Sequence, residues 1–234
     1  MKRAIILIFS FSFASCAHQT AKNELLSGEY LGISADQKYT RLSLSESNFE
    51  KDQIEIGKEP NFLKIKGTWQ AVNDSVIALN EQDRAKSFYK LKDNQLVSLN
   101  SQLKENEPSL SIRLFKVDHS IEAEGNIESL AKEGILFFAN GNEPFWALKI
   151  SSNNIAEFNK PDLDTPIKFS NIRMIKGKDY SIVYLSEDSQ DKLIIYKSTC
   201  VNDMSGKVSP YFVELYFKGT HYRGCGDSLK KEFL

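Results

Sequence analysis

The chain has 234 residues, of which 30 are basic and 31 acidic, giving a net charge of −1. The basic residues are dispersed through both halves, with no arginine-rich stripe that could follow a phosphate backbone, so the composition argues against nucleic acid as a partner. The length allows one domain or two small ones.

The start of the chain has the layout of a secretory signal peptide. A basic pair and a largely apolar stretch over residues 4–13 precede Phe13-Ala14-Ser15-Cys16. The stretch is too short for a permanent membrane span, which needs about 20 apolar residues. We therefore predict a cleaved signal peptide at residues 1–15, followed by a flexible polar tether at residues 16–26.

The four residues at the end of this segment resemble the lipobox of bacterial lipoproteins, which implies that Cys16 is lipidated and anchors the chain to a membrane. Phe13 departs from the usual aliphatic residue, so an ordinary signal peptide with a chance cysteine is the alternative. By the same resemblance, Ala17 in place of Asp favours the outer membrane over the inner one, on either of its faces. Several acyl chains would hold the protein firmly, because each buried methylene contributes roughly 0.8 kcal/mol.

Residues 27–117 predict a first domain of antiparallel strands. Apolar and polar residues alternate in short segments between turn signals such as Asn73-Asp74 and Lys92-Asp93-Asn94. Six or more such strands must protect their edges, which favours a small barrel or a strongly curled sheet. The segments are residues 40–45, 53–56, 62–69, 75–79, 88–91 and 109–114.

The alternation stops at residues 118–133, which we interpret as a linker or short helix, and resumes in a second domain at residues 134–234. The fold class is therefore mainly β: two small antiparallel β-barrel or curled-sheet domains after a cleaved lipoprotein signal peptide. The strand-like segments of the second domain are residues 134–139, 145–150, 180–185, 192–196 and 211–217.

The chain has three cysteines, and lipidation of Cys16 would leave Cys200 and Cys225 as a pair in an exported protein. This parity favours a disulfide. A metal site built on the two thiolates is the alternative, with Met204 and His221 as the nearest additional ligands. We predict the disulfide, with no metal and no cofactor.

The first domain resembles the N-terminal domain of the NlpE family of outer-membrane lipoproteins, a family linked to copper resistance and envelope-stress signalling. That family typically carries a Cys-x-x-Cys motif before its second strand, where this chain has Ile33-Ser34-Ala35-Asp36-Gln37-Lys38-Tyr39. Copper binding therefore does not carry over, because the soft ligands that suit Cu(I) are missing. The resemblance covers roughly residues 27–117 and rests on Gly28-Glu29-Tyr30-Leu31-Gly32, Leu42-Ser43-Leu44, Gly67-Thr68-Trp69, Tyr89-Lys90-Leu91 and Gln95-Leu96-Val97-Ser98-Leu99.

The second domain resembles a poorly characterised family of bacterial envelope lipoprotein domains, which implies a small β domain with one bridge and brings no established activity. Three blocks carry the resemblance, and both cysteines of the predicted pair lie in them. The blocks are Gly141-Asn142-Glu143-Pro144-Phe145-Trp146, Cys200-Val201-Asn202-Asp203-Met204-Ser205-Gly206 and, after Tyr211, Gly224-Cys225-Gly226.

Glu143 and Asp203 are the candidates for acid and base in a paired-carboxylate site. The competing and favoured interpretation is that both accept backbone N–H bonds in turns. Trp146 and Phe145 are expected to pack in the core, although an exposed Trp146 would indicate a shelf for a ligand. Together with Met204, these are the possible ligand or motif residues, and we assign no catalytic residue.

The leading hypothesis is a non-catalytic, lipid-anchored envelope protein that senses or signals envelope stress, or binds a protein partner or a small apolar ligand. The first alternative is a lipocalin-like carrier of a small hydrophobic ligand inside the first barrel. Apolar side chains filling the barrel, among them Trp69 and Phe88, would exclude that carrier. The second alternative is an envelope hydrolase that uses Glu143 and Asp203.

Overall fold

The computed structural model describes residues 26–57, 59–81, 85–108, 110–120, 127–187, 190–230 and 233. The proposed signal peptide, Cys16 and nearly all of the tether lie outside these residues. Within the described part, no helix is long and apolar enough to cross a membrane.

The first half folds into a closed barrel of eight antiparallel strands in simple up-and-down order. The barrel closes because β1 pairs with β2 on one side and with β8 on the other, where Tyr30 faces Lys116 and Leu31 faces Phe115. Closure leaves no free sheet edge. The strands are β1 (Gly28–Ile33), β2 (Lys38–Ser45), β3 (Asn48–Glu55), β4 (Phe62–Ala71), β5 (Val76–Glu81), β6 (Ser87–Lys92), β7 (Gln95–Leu99) and β8 (Arg113–Lys116).

Side chains fill the interior of the barrel. Tyr30 is fully buried, and the Trp69 indole packs in the same apolar cluster. Burial raises the pKa of Tyr30 to about 12, so its hydroxyl stays protonated and donates to the Leu26 carbonyl at 2.9 Å. An eight-stranded barrel has an interior just wide enough for side chains to fill. The other buried members of the cluster are Leu26, Leu42, Leu44, Phe49, Ile65, Ile77, Leu79, Tyr89, Leu96 and Leu114.

A short helix, α1 (Ile127–Lys132), precedes a nine-stranded antiparallel sheet in the order β12-β11-β10-β9-β19-β18-β15-β14-β13. Its two edge strands are consecutive in the chain and are joined by residues 170–172 alone, so the sheet curls until its edges approach each other. The strands are β9 (Ile135–Asn142), β10 (Phe145–Ser151), β11 (Ala156–Asn159), β12 (Ile167–Phe169), β13 (Arg173–Lys176), β14 (Tyr180–Tyr184), β15 (Lys192–Tyr196), β18 (Tyr211–Phe217) and β19 (Thr220–Ser228), with a separate hairpin of β16 (Cys200–Val201) and β17 (Val208–Ser209).

The outer wall of the barrel packs on the outer face of the curled sheet. Successive residues of a strand face opposite sides, so Tyr30 points into the barrel while Leu31 points out of it. Each buried Leu or Ile in this contact contributes roughly 1.5–3 kcal/mol. We call the contact the interdomain cluster; its buried members are Leu31, Tyr39, Ile54 and Ile56 of the barrel and Ile194, Tyr196, Cys200, Phe212 and Cys225 of the second domain.

A fully buried carboxylate, Glu214, links the two domains beside this cluster. It accepts the backbone N–H of Gly57, in the loop after β3, at 2.9 Å and the Tyr196 hydroxyl at 2.8 Å. Its Oε1 also lies 2.8 Å from His221 Nε2 and 3.4 Å from the Tyr216 hydroxyl. Burial and the neighbouring carboxylate raise the pKa of Tyr196, so that hydroxyl remains a donor.

The structure confirms the mainly β fold class, and it corrects details of the strands. Residues 110–112, expected in a strand, precede β8, which begins at Arg113. The strand β19 was not predicted, because two glycines and scattered polar residues hide its alternation. The helix α1 lies inside the segment interpreted as a linker or short helix.

We expect Glu214→Gln to lower the free energy of unfolding by roughly 1–3 kcal/mol, because an amide NH2 would then face groups that donate to the present carboxylate. Glu157→Gln is the matched control, since Glu157 is a partly exposed side chain on β11 that pairs with Lys168. Chemical denaturation should separate the two variants. Equal midpoints for both would contradict the role of Glu214 as an interdomain link.

Candidate functional site

Cys200 and Cys225 form a disulfide, with their Cα atoms 5.4 Å apart. This confirms the pairing predicted from parity, and it removes the two-thiolate metal hypothesis because each sulfur is bonded to the other. Cys200 lies on β16 and Cys225 on β19, so the bridge ties the small hairpin to the sheet. Both sulfurs belong to the interdomain cluster, which places the bridge against the barrel. Within the described ranges, no group of three or more His, Cys, Asp or Glu side chains is arranged to hold a metal.

The three sequence blocks of the second domain meet around this bridge. Strand β9 pairs with β19, with Asn140 opposite Cys225, and this pairing brings the end of β9 beside the bridge. The Asn142 amide then donates to Asn202 Oδ1 at 3.0 Å and to the Asp203 carboxylate. The blocks, separated by tens of residues in sequence, therefore form one site.

A recess of about 160 Å³ opens at this meeting point, and we call it the junction recess. The barrel supplies Ile33 and Tyr39, and the second domain supplies the rest of the wall. The Tyr39 ring stacks on Phe212 with centroids 4.3 Å apart, which closes the side towards the interdomain cluster. The remaining lining residues are Asn140, Gly141, Asn142, Glu143, Cys200, Val201, Asn202, Asp203, Arg223, Gly224 and Cys225.

Asn202 fixes the turn between β16 and β17. Its Oδ1 accepts the backbone N–H groups of Met204 and Ser205 at 3.1 and 3.0 Å, an Asx-type arrangement that holds the turn. Asp203 is thereby presented at the mouth of the recess. Met204, singled out as a possible ligand, is an exposed side chain beside the recess rather than part of its wall.

Both candidate carboxylates line the junction recess, Glu143 from the β9–β10 turn and Asp203 from the β16–β17 turn. Asp203 accepts the Asn142 side-chain amide, whereas Glu143 has no hydrogen bond or ion pair within the described part of the chain. We expected backbone N–H groups of the turns to bind both carboxylates, and the described residues show no such bond for either one. The shared recess keeps the hydrolase hypothesis open as a prediction.

Trp146 is a core residue, and Phe145 is not. The Trp146 indole is 3% exposed, packs near Phe158 and Tyr222, and donates from Nε1 to the Arg223 carbonyl at 3.0 Å. Gly141 makes room for it, because a Cβ there would lie 2.4 Å from that nitrogen. Phe145 is 51% exposed, which corrects the expectation that both aromatic residues pack inward. Adjacent strand residues face opposite sides, so only one of the two could do so.

Five lining residues of the recess lie outside the three sequence blocks and were not predicted: Ile33, Tyr39, Asn140, Phe212 and Arg223. Arg223 lies two positions before Cys225 on β19, so it shares the face of the bridge, and that spacing was the available signal. The contribution of Ile33 and Tyr39 could not be read from the sequence, because it depends on how the barrel docks on the sheet.

The molecule is thus an eight-stranded barrel packed on a curled, disulfide-bonded sheet, with a recess where they meet. The family model of the NlpE N-terminal domain matches residues 35–108, which run from the β1–β2 turn to the loop after β7. This match confirms the NlpE-like character of that stretch of the barrel, about a third of the chain. The resemblance of the second domain to a lipoprotein family stays a prediction.

A comparison with curated protein sequences gives no match. Among solved structures, the crystal structure of the Cpx pathway activator NlpE from Escherichia coli is 12% identical to this chain, and the alignment covers 83% of this chain and 95% of that one with a TM-score of 0.32. Similarity of this size transfers neither domain arrangement nor function.

Removing the bridge should destabilise the protein strongly. For Cys200→Ala combined with Cys225→Ala we expect a loss of about 3.5 kcal/mol in the free energy of unfolding, the chain-entropy value for a loop of this length. Denaturant unfolding of wild type with and without reductant provides the comparison, and the double variant should not respond to reductant. A variant as stable as the oxidised wild type would contradict a structural role for the bridge.

Trp146→Phe should lower the free energy of unfolding by roughly 1–3 kcal/mol, because it removes the bond to the Arg223 carbonyl and leaves a void. Phe145→Leu is the matched control next to it and should change stability by at most about 0.5 kcal/mol, as expected for an exposed site. Thermal or chemical denaturation measures both. If Phe145→Leu lowered the free energy of unfolding more than Trp146→Phe, then Phe145 rather than Trp146 would be the core residue.

Proposed function

We propose that this protein is a non-catalytic, lipid-anchored protein of the bacterial envelope that takes part in sensing envelope stress. The observation that carries the proposal is the NlpE N-terminal domain match over residues 35–108 of the barrel. The lipobox-like segment ending at Cys16 supports it, because the lipid would tie the barrel to a membrane. We place the protein at the outer membrane on the basis of Ala17.

The proposed tether gives the folded part a limited range. Eleven residues separate Cys16 from the first barrel residue, Gly28, and an extended chain of that length spans at most roughly 40 Å. A barrel held within that distance can contact only partners close to the membrane, as expected for a sensor or adaptor of the envelope. We infer a protein partner rather than an apolar small molecule, since the barrel interior is filled by its own side chains.

The barrel turn that stands in place of the family's Cys-x-x-Cys is closed by its own contacts. Ser34 N–H donates to the Lys38 carbonyl at 3.0 Å, and Lys38 Nζ pairs with Asp36 at 2.6 Å. The turn leads into Tyr39, which lines the junction recess. We therefore do not extend copper binding to this protein, and we assign this turn a structural role in joining the two domains.

Exposed apolar side chains beside the recess support a contact surface for a partner. Ile33, Phe145 and Met204 come from three different segments, and each is exposed beside or within the residues that shape the recess. The hydrolase alternative rests on Glu143 and Asp203 alone, and Asp203 is engaged by Asn142. The adaptor role therefore accounts for more of the site.

The test is a chromosomal Cys16→Ala replacement in the native host, read with an envelope-stress reporter. We expect the unlipidated protein to leave the membrane fraction and to change the reporter at equal protein level. Ser12→Ala is the matched control, because it alters the same signal segment and keeps Cys16. An unchanged reporter in the Cys16→Ala strain, with the protein confirmed as unlipidated by intact mass, would refute the proposal.

A further inference from the structure

The junction recess is lined by charged side chains of both signs that have no ionic partner among the described residues. The Arg223 guanidinium makes one hydrogen bond within the described residues, a long contact of 3.4 Å from Nη1 to Gln37 Oε1. A guanidinium has five donors, so most of its capacity is unused. Glu143 and Asp203, in the same recess, form no ion pair among the described residues.

The obvious internal partner of Arg223 is already occupied. Glu214 lies directly opposite Arg223 in the β18–β19 pairing. Its two oxygens are taken by Gly57, Tyr196, His221 and Tyr216, as described above, so the guanidinium remains available to the recess. The Asn140 side-chain amide, on the same face and in the same wall, also has no hydrogen-bond partner within the described ranges.

The size of the recess limits what can enter it. Its volume is about 160 Å³. Drug-sized and lipid-like ligands need pockets of roughly 300–1,000 Å³. The wall carries charged and amide side chains beside an apolar floor of Phe212 and the bridge, which suits a compact ligand with charged groups.

We propose that the junction recess binds an amino-acid-type zwitterion, with its carboxylate on Arg223 and its ammonium between Glu143 and Asp203. The planar fork of an arginine matches a carboxylate, and acidic oxygens accept the three donors of an ammonium. The Asn140 amide lies in the same wall and supplies a neutral hydrogen-bonding group. Asn142 can add only its side-chain oxygen, because its NH2 group already donates to Asn202 and Asp203. The inference deepens the proposed binding role and rests on its non-catalytic character.

This chemistry has two sources in a bacterial envelope, a free amino acid and the zwitterionic side-chain end of a cell-wall peptide. Both place an ammonium and a carboxylate on one carbon, so both satisfy the recess. The neighbouring apolar side chains, Phe145 and Met204, would lie beside the rest of a longer ligand. The probes therefore include glycine, both enantiomers of alanine, and soluble cell-wall peptides containing meso-diaminopimelate.

The test is a titration of the purified mature protein in detergent, followed by calorimetry and by amide chemical shifts. At least one zwitterionic probe should bind at millimolar concentration or below, with shifts at Asn140, Asn142 and Gly224. N-acetylalanine and alaninamide, each lacking one charge, should bind at least tenfold more weakly. Tight binding by free alanine alone identifies the free amino acid as the source, and tighter binding by the peptides identifies the cell wall.

Variants assign the charges. Arg223→Gln and Asp203→Asn should each weaken binding at least tenfold. Arg173→Gln and Glu157→Gln, changes of the same kind elsewhere on the sheet, should leave binding unchanged. Circular dichroism checks that each variant is folded. Absence of binding by every zwitterionic probe, or equal binding of alanine and alaninamide, would overturn the inference.

The two proposals fail separately. If Cys16→Ala leaves the reporter unchanged while the zwitterionic probes still bind, the signalling role is refuted and the ligand assignment of the recess stands. If the reporter changes but no probe binds, the signalling role stands and the ligand assignment is refuted. Recovery of the probe unchanged by mass spectrometry is expected. Cleavage of a cell-wall peptide that depends on Glu143 would overturn the non-catalytic role instead.

Discussion

The packing of the barrel wall on the outer face of the curled sheet is the constraint on which the rest of the molecule depends. Tyr39 stacks on Phe212, and the Cys200–Cys225 bridge lies in the same buried cluster. This contact removes from water apolar side chains that neither domain could bury alone. It also brings the first turn of the barrel to the bridge, and so it creates the junction recess.

Polar groups at the edge of this contact define how the domains sit together. Glu214 cannot remain buried as a carboxylate without its donors, and one of these is a backbone N–H of the barrel. On the barrel side, burial raises the pKa of Asp52, and the Arg41 guanidinium at 3.0 Å opposes that rise. The Ser198 hydroxyl of the second domain donates to the same carboxylate at 3.3 Å. Apolar contact supplies the driving force, and these directional bonds select one orientation.

The sequence predicted the elements better than their assembly. Period-two alternation predicted six of the eight barrel strands, all but β1 and β7, and cysteine parity predicted the bridge, because both depend on local or countable features. Leu31 and Ile54 show why the packing of the barrel on the sheet was not predicted. Each is a single apolar residue on a strand face expected to be exposed to solvent, and single exposed apolar residues are common on protein surfaces. The spacing of Arg223 from Cys225 indicates a shared face, but it does not show that Glu214, opposite Arg223 in the β18–β19 pairing, is already bonded to other groups.

The barrel and the sheet are expected to unfold as one cooperative unit, because the site lies at their junction and the interdomain cluster joins them. Native-state hydrogen exchange of the wild-type protein in increasing denaturant tests it most directly, by comparing β5 in the barrel (Val76–Glu81) with β18 in the sheet (Tyr211–Phe217). We expect the slowest amides of both strands to converge on the same opening free energy. Two distinct opening free energies, with one domain protected after the other has unfolded, would contradict it.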